Sequence, residues 1–109
     1  MREAVLVLTT VPSGEVGQQI AQALVEERLA ACVNVLPAML SVYRWKGEVH
    51  RDEEHQVIIK TTRARLADLR ARLDGLHPYD LPEWLVVAID DGDPAYLAWV
   101  AGETSDAVD

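Results

Sequence analysis

Two long strand-like segments that meet at Lys46-Gly47 constrain this chain more than any other feature. Cys32 to Leu36 and Met39 to Trp45 read as one strand interrupted at Pro37, and Val49 to Thr62 reads as the strand that returns. Pro37 has no N–H to offer a neighbour, so a bulge or a change of pairing partner is expected there. Val57-Ile58-Ile59 is apolar on both faces and is expected to be buried on both sides. The arms, Cys32 to Lys46 and Glu48 to Thr62, would each extend about 50 Å if continuous. A compact domain of 109 residues is only roughly 34 Å across. Such a hairpin cannot be covered by its own domain. Its outer half would leave Tyr43, Trp45 and two unpaired edges in water unless another copy covers them, so oligomerisation through the hairpin is expected.

The remaining elements follow from periodicity. Ala4 to Leu8 is a short apolar run ended by Thr9-Thr10-Val11-Pro12, and it reads as a buried central strand. Ser13 is placed to cap a helix, with Glu15 in its first turn and Val16, Ile20, Ala23 and Leu24 on one face, ending near Glu27-Arg28. A second helix spans Arg63 to Asp74 with a stripe of Leu66, Leu69, Leu73 and Leu76, and Gly75 is expected to terminate it. Leu85 to Ile89 reads as the last strand. Asp93 and Pro94 then serve as N-cap and first residue of a short helix carrying Tyr96, Leu97, Trp99 and Val100. From Ser105 the tail is expected to fray. The order β-α-β-β-α-β with an appended helix is the α+β, ferredoxin-like arrangement, in one domain over residues 1–109.

Composition narrows the partners. The net charge is −8, and no basic stripe is present to displace the counterions of a nucleic acid, so nucleic-acid binding is not expected. No apolar run approaches the length that spans a membrane, and Met1-Arg2-Glu3-Ala4 leads into a strand without a signal-like segment. A cytoplasmic protein is expected. One cysteine, Cys32, cannot form an internal disulfide.

Candidate chemistry gathers at His77-Pro78-Tyr79-Asp80-Leu81-Pro82-Glu83. The two prolines hold this segment stiff and non-helical, so its histidine, tyrosine and carboxylates have defined directions. It reads either as a site or as a rigid connection between a helix and a strand. Cys32 is either a buried hydrophobe or a soft ligand for Cu(I). His50 and His55 differ by an odd number of positions and so point to opposite strand faces. Lys60, inside an apolar strand, is either in a structural ion pair or presented to a cleft that suits a carboxylate or phosphate, with Tyr79 as a second cleft residue. Tyr43 and Trp45 share a strand face and are expected at a subunit contact. Asp90-Asp91-Gly92-Asp93 lacks the spacing of a calcium loop and reads as a turn and cap.

Several of these runs also occur together in a known family. Leu29-Ala30-Ala31-Cys32-Val33-Asn34-Val35-Leu36-Pro37, Ser41-Val42-Tyr43-Arg44-Trp45-Lys46-Gly47, Ile59-Lys60-Thr61, His77-Pro78-Tyr79 with Pro82-Glu83, and Tyr96-Leu97-Ala98-Trp99 follow in order. In that order and spacing the chain closely resembles the CutA divalent-cation tolerance family from about Val5 to Thr104. The resemblance implies a cytoplasmic homotrimer whose hairpins exchange edge pairing, similar in architecture to PII-like signalling proteins. It also implies a role in tolerance of copper and other divalent cations, without a catalysed reaction. Some relatives carry a cysteine where this chain has Thr9 and a histidine where it has Leu76, so Glu83, with His77 as its neighbour, is the candidate ligand pair for copper. The expected function is therefore a non-enzymatic, metal-binding homotrimer. The alternative is a PII-like regulator that binds a small anionic ligand between subunits.

Overall fold

Four strands form one antiparallel sheet in the order β2-β3-β1-β4, namely β1 (Ala4–Val11), β2 (Cys32–Trp45), β3 (Glu48–Thr62) and β4 (Leu85–Ala88). With α1 (Gly14–Glu26), α2 (Leu66–Leu76) and α3 (Pro94–Glu103), this is the expected ferredoxin-like order with a terminal helix. The structure is a computed structural model and describes residues 3–105. The expected fraying of the tail concerns residues beyond Ser105, which lie outside that range. Ser105 itself is tied down, because its carbonyl accepts a hydrogen bond from Arg28 Nε at 3.0 Å.

Strand periodicity assigns the two faces. Val5, Val7, Thr9 and Val11 of β1 and Val57, Ile59 and Thr61 of β3 are buried on the face that carries α1 and α2. Ile20 and Leu24 of α1 and Leu69 and Leu73 of α2 complete that core. At one end of the opposite face, α3 covers Ala4 and Ala31 with Val100. The rest of that face is open. Leu6, Leu8 and Ile58 on it are only half-buried, so the expectation that β1 and the Val57–Ile59 run are covered on both sides holds for one side within a single chain.

Local signals account for the ends. Ser13 Oγ accepts from Val16 N–H at 3.2 Å, and Asp93 accepts from Tyr96 N–H at 2.9 Å with Pro94 in the first turn. Helix α1 stops in a Schellman turn: Leu29 N–H reaches Leu24 O at 2.9 Å, and Arg28 N–H reaches Val25 O at 3.1 Å. Arg28 fills the left-handed position at φ 60° where glycine is usual, and its guanidinium donates to Gly102 O and Ser105 O at the end of α3. The second helix departs from expectation. It begins with a 3-10 turn at Arg63–Arg65 and runs through Gly75 to Leu76. Pro78 ends it, by forcing His77 to an extended φ of −82° and ψ of 133°.

The hairpin is long, as its sequence demands. Lys46 and Gly47 both take positive φ, 51° and 81°, the geometry of a two-residue turn matched to strand twist. The molecule measures 48 × 27 × 23 Å, longer than a compact domain of its size, and the outer parts of β2 and β3 lie beyond the helices. Leu40, Val42 and Val49 there are 59%, 55% and 61% exposed. The bulge falls at Pro37, between Val35 and Ala38, and it inverts the phase of β2. Without it, Tyr43 and Trp45 would share a face with Val33 and Val35. With it, they pair with His50 and Glu48 on the open face. His55 Nδ1 donates to Leu36 O at 2.8 Å and satisfies a carbonyl at the bulge.

Candidate functional site between hairpin and proline loop

An open cleft of about 1030 Å³ lies on the uncovered face, between the outer hairpin and the proline loop. Even-numbered residues of β3 line one wall because they share a face: Asp52, Glu54 and Gln56. Tyr43, on the phase-inverted part of β2, stands beside them. Pro78 to Glu83 form the opposite wall.

Three side-chain hydrogen bonds latch the loop to the sheet. His77, 8% exposed, lies 2.8 Å from Thr10 O through Nε2 and accepts from Tyr79 N–H through Nδ1 at 3.2 Å. A carbonyl only accepts and an amide N–H only donates, so the ring is the tautomer protonated at Nε2 and both its nitrogens are engaged. Tyr79 O–H donates to Glu54 Oε2 at 2.8 Å, and its ring lies 4.9 Å from that of His77. Gln56 Nε2 donates to Glu83 Oε1 at 3.0 Å and to Thr9 O at 2.8 Å. Burial first, and the hydrogen bond to Glu54 second, push the Tyr79 phenol well above its ordinary value. The Tyr43 phenol is raised as well, chiefly by its hydrogen bond to Asp52 and then by burial. Both tyrosines are therefore neutral donors that orient carboxylates.

The other candidate residues sit apart. Lys60 does not line the cleft; its Nζ lies 5.9 Å from the centroid of the Tyr96 ring on α3. It pairs across the strands with Cys32, which is half-buried rather than enclosed. His50 stacks on Tyr43 at 5.5 Å between centroids, whereas His55 points to the helix side, so the two histidines do face opposite ways. Thr9 is buried among the core residues, and half-buried Leu76 packs against the same core. Asp93 is the expected helix cap. Tyr43 and Trp45 are 41% and 43% exposed. Among the described residues, no group of three or more His, Cys, Asp or Glu side chains is placed to hold one metal ion.

Sequence reasoning did not single out Asp52, Glu54 and Gln56. The run His50 to Gln56 is polar throughout, so no alternation marks which of its residues share a face, and their meeting with Tyr79 and Glu83 depends on how the proline loop folds back over the strand.

Comparison with known proteins gives a consistent answer. The family model CutA1 divalent ion tolerance protein matches residues 5–103. The chain is 50% identical over 99 residues to the divalent-cation tolerance protein CutA of Thermus thermophilus, covering 91% of this chain and 96% of that protein. It is 41% identical over 101 residues to the chloroplastic protein CutA of Arabidopsis thaliana, covering 93% of this chain and 56% of that longer protein. Among solved structures, the Thermus thermophilus divalent cation tolerance protein superposes with a TM-score of 0.91 at 48% identity, covering 94% of this chain and 99% of that one. Oryza sativa CutA1 gives 0.92 at 38% identity, covering 97% of each chain. With nearly the whole length matched in both sequence and fold, the chain belongs to the CutA1 divalent ion tolerance family.

Proposed function

We propose that the protein is a non-enzymatic, cytoplasmic homotrimer that serves divalent-cation tolerance by binding the ions themselves, copper foremost, in clefts at the subunit boundaries. The observation that carries this reading is the cleft: its carboxylates are held by neutral donors, so their negative charge is oriented but not cancelled. Glu83 is the ligand on the cleft side, with His77 as its neighbour. For His77 to ligate, Nδ1 must release Tyr79 N–H, which offsets part of the gain from coordination. Two protein groups per loop leave water or a neighbouring subunit to complete the shell, so the affinity is modest. The same carboxylates disfavour the alternative of a small anionic ligand, and Lys60 lies outside the cleft.

Copper titration by calorimetry on wild type, His77→Ala and Glu83→Gln, each verified as the assembled oligomer, tests the reading. Both variants are expected to bind more weakly, and wild-type binding is expected to weaken in acid because copper takes the unprotonated imidazole. Identical binding by all three would move the site to His50, His55 or Cys32.

A further inference from the structure

A second, smaller pocket of about 250 Å³ lies between the proline loop and α2. Its floor is Leu73, buried in the helix-side core, with half-buried Pro82 and Trp84 beside it. It is bounded by α2, so it is reached from the helix side and not from the open sheet face that calls for another copy. Three charges rim it, Arg70 and Asp74 of α2 and Asp80 of the loop. Arg70 and Asp74 stand four positions apart, where helical side chains are neighbours. Even so, they form no ion pair with each other, and none of the three charges bonds to another described side chain. Arg70 is instead drawn to the Trp84 ring, with its guanidinium carbon 5.4 Å from the centroid. Charges of both signs therefore meet over an apolar floor with their hydrogen-bonding capacity unused.

We infer that this pocket binds a free α-amino acid with an apolar side chain. The ligand carboxylate lies on Arg70, its ammonium group on Asp74 and Asp80, and its side chain against Leu73, Pro82 and Trp84. A simple anion would face two carboxylates, and a simple cation would face the guanidinium, so only a ligand with both charges is matched throughout. Guanidinium and carboxylate make a bidentate, charge-assisted pair, and the ammonium group makes charge-assisted bonds of its own. The volume falls below the roughly 300–1,000 Å³ of pockets for drug-sized ligands, which suits a molecule the size of one amino acid. Covering the floor removes apolar surface from water, a gain that a ligand without a side chain forgoes. This inference uses none of the proposed copper ligands and does not depend on copper binding.

The test is calorimetric titration of the metal-free, assembled protein with leucine and three fragments of it at matched ionic strength. The fragments are 4-methylpentanoate, which lacks the ammonium group, 3-methylbutylamine, which lacks the carboxylate, and glycine, which lacks the side chain. Saturable binding is expected for leucine, and binding at least about fivefold weaker for each fragment. Arg70→Gln and Asp74→Asn should each weaken leucine binding about fivefold or more, because each replaces a charge-assisted hydrogen bond with a neutral one. Glu15→Gln, on α1 away from the pocket, should leave it unchanged. The ligand series on wild type decides the matter even if a variant fails to assemble. No saturable leucine binding, as when a neighbouring subunit covers the pocket, overturns the inference. So does any fragment binding as tightly as leucine, or Arg70→Gln and Asp74→Asn behaving like Glu15→Gln. A separate copper titration without amino acids tests the metal reading, so either can fail alone.

Discussion

Gly17 and Gly75 are both helical glycines, yet their surroundings give them opposite roles. A Cβ on Gly17 would stand 2.8 Å from Val35 Cγ1, where α1 presses on the sheet. Alanine would gain about 1 kcal/mol of helix propensity there. The clash should cost about 1–3 kcal/mol, towards the upper end because the β-branched Val35 turns aside with difficulty. Gly17→Ala is therefore expected to destabilise the protein by about 1 kcal/mol or more. Gly75 has nothing within 4 Å of an added Cβ and no positive φ. Gly75→Ala should stabilise by about 0.5–1 kcal/mol. Urea midpoints of the two variants should shift in opposite directions, and equal shifts would contradict this account. The sequence suggested Gly75 as a helix stop, as glycine near a helix end usually is, but a glycine does not oblige the chain to leave the helix whereas Pro78 does.

Between elements, the two helices on the core face are joined at their surface by Arg72 and Glu27. Arg72 donates to both carboxylate oxygens, through Nε at 2.8 and 3.1 Å and Nη2 at 2.9 Å. This hydrogen bonding, more than the bare charge, holds Glu27 below its ordinary value of 4.5. The stability it contributes is present above that value and is lost as the pH falls through the lower, folded one. In Arg72→Gln, the urea midpoint should therefore fall less steeply in the acid range below pH 4.5 than in wild type. Parallel profiles would show that the clamp is too solvated to matter. Both partners stand in the sequence as ordinary surface charges, 45 positions apart, and only the packing of α1 beside α2 makes them neighbours.

For the molecule as a whole, the uncovered sheet face and the hairpin that overreaches its domain pose one problem. Leu40, Val42 and Val49 on one side of the hairpin and Tyr43 and Trp45 on the other are exposed in a single chain. So are Leu85, Val86 and Val87 of the edge strand β4. Apolar area of this extent on edge strands calls for a partner. Light scattering at micromolar concentration is expected to report a trimer, and a stable folded monomer would refute it. Trp45→Ala should weaken assembly by about 2 kcal/mol or more if the ring anchors the interface, read as a dilution midpoint moved to higher concentration. An unchanged midpoint would show that Trp45 serves the cleft alone.

Much of the architecture was legible because its causes are local. Two-residue alternation, helical leucine stripes, caps at Ser13 and Asp93, the Lys46-Gly47 turn and the missing N–H of Pro37 each act over a few residues. The length of the hairpin against the size of the chain also pointed to an oligomer. What only the tertiary structure decided is which side of the sheet each consequence lands on. One extra residue at the Pro37 bulge carries Tyr43 and Trp45 to the face opposite Val33 and Val35. There they meet Asp52 and Glu54, and the proline loop closes over them through Tyr79 and Glu83. Such a meeting depends on the sum of all preceding registers and turns, and no single local pattern in the chain records that sum.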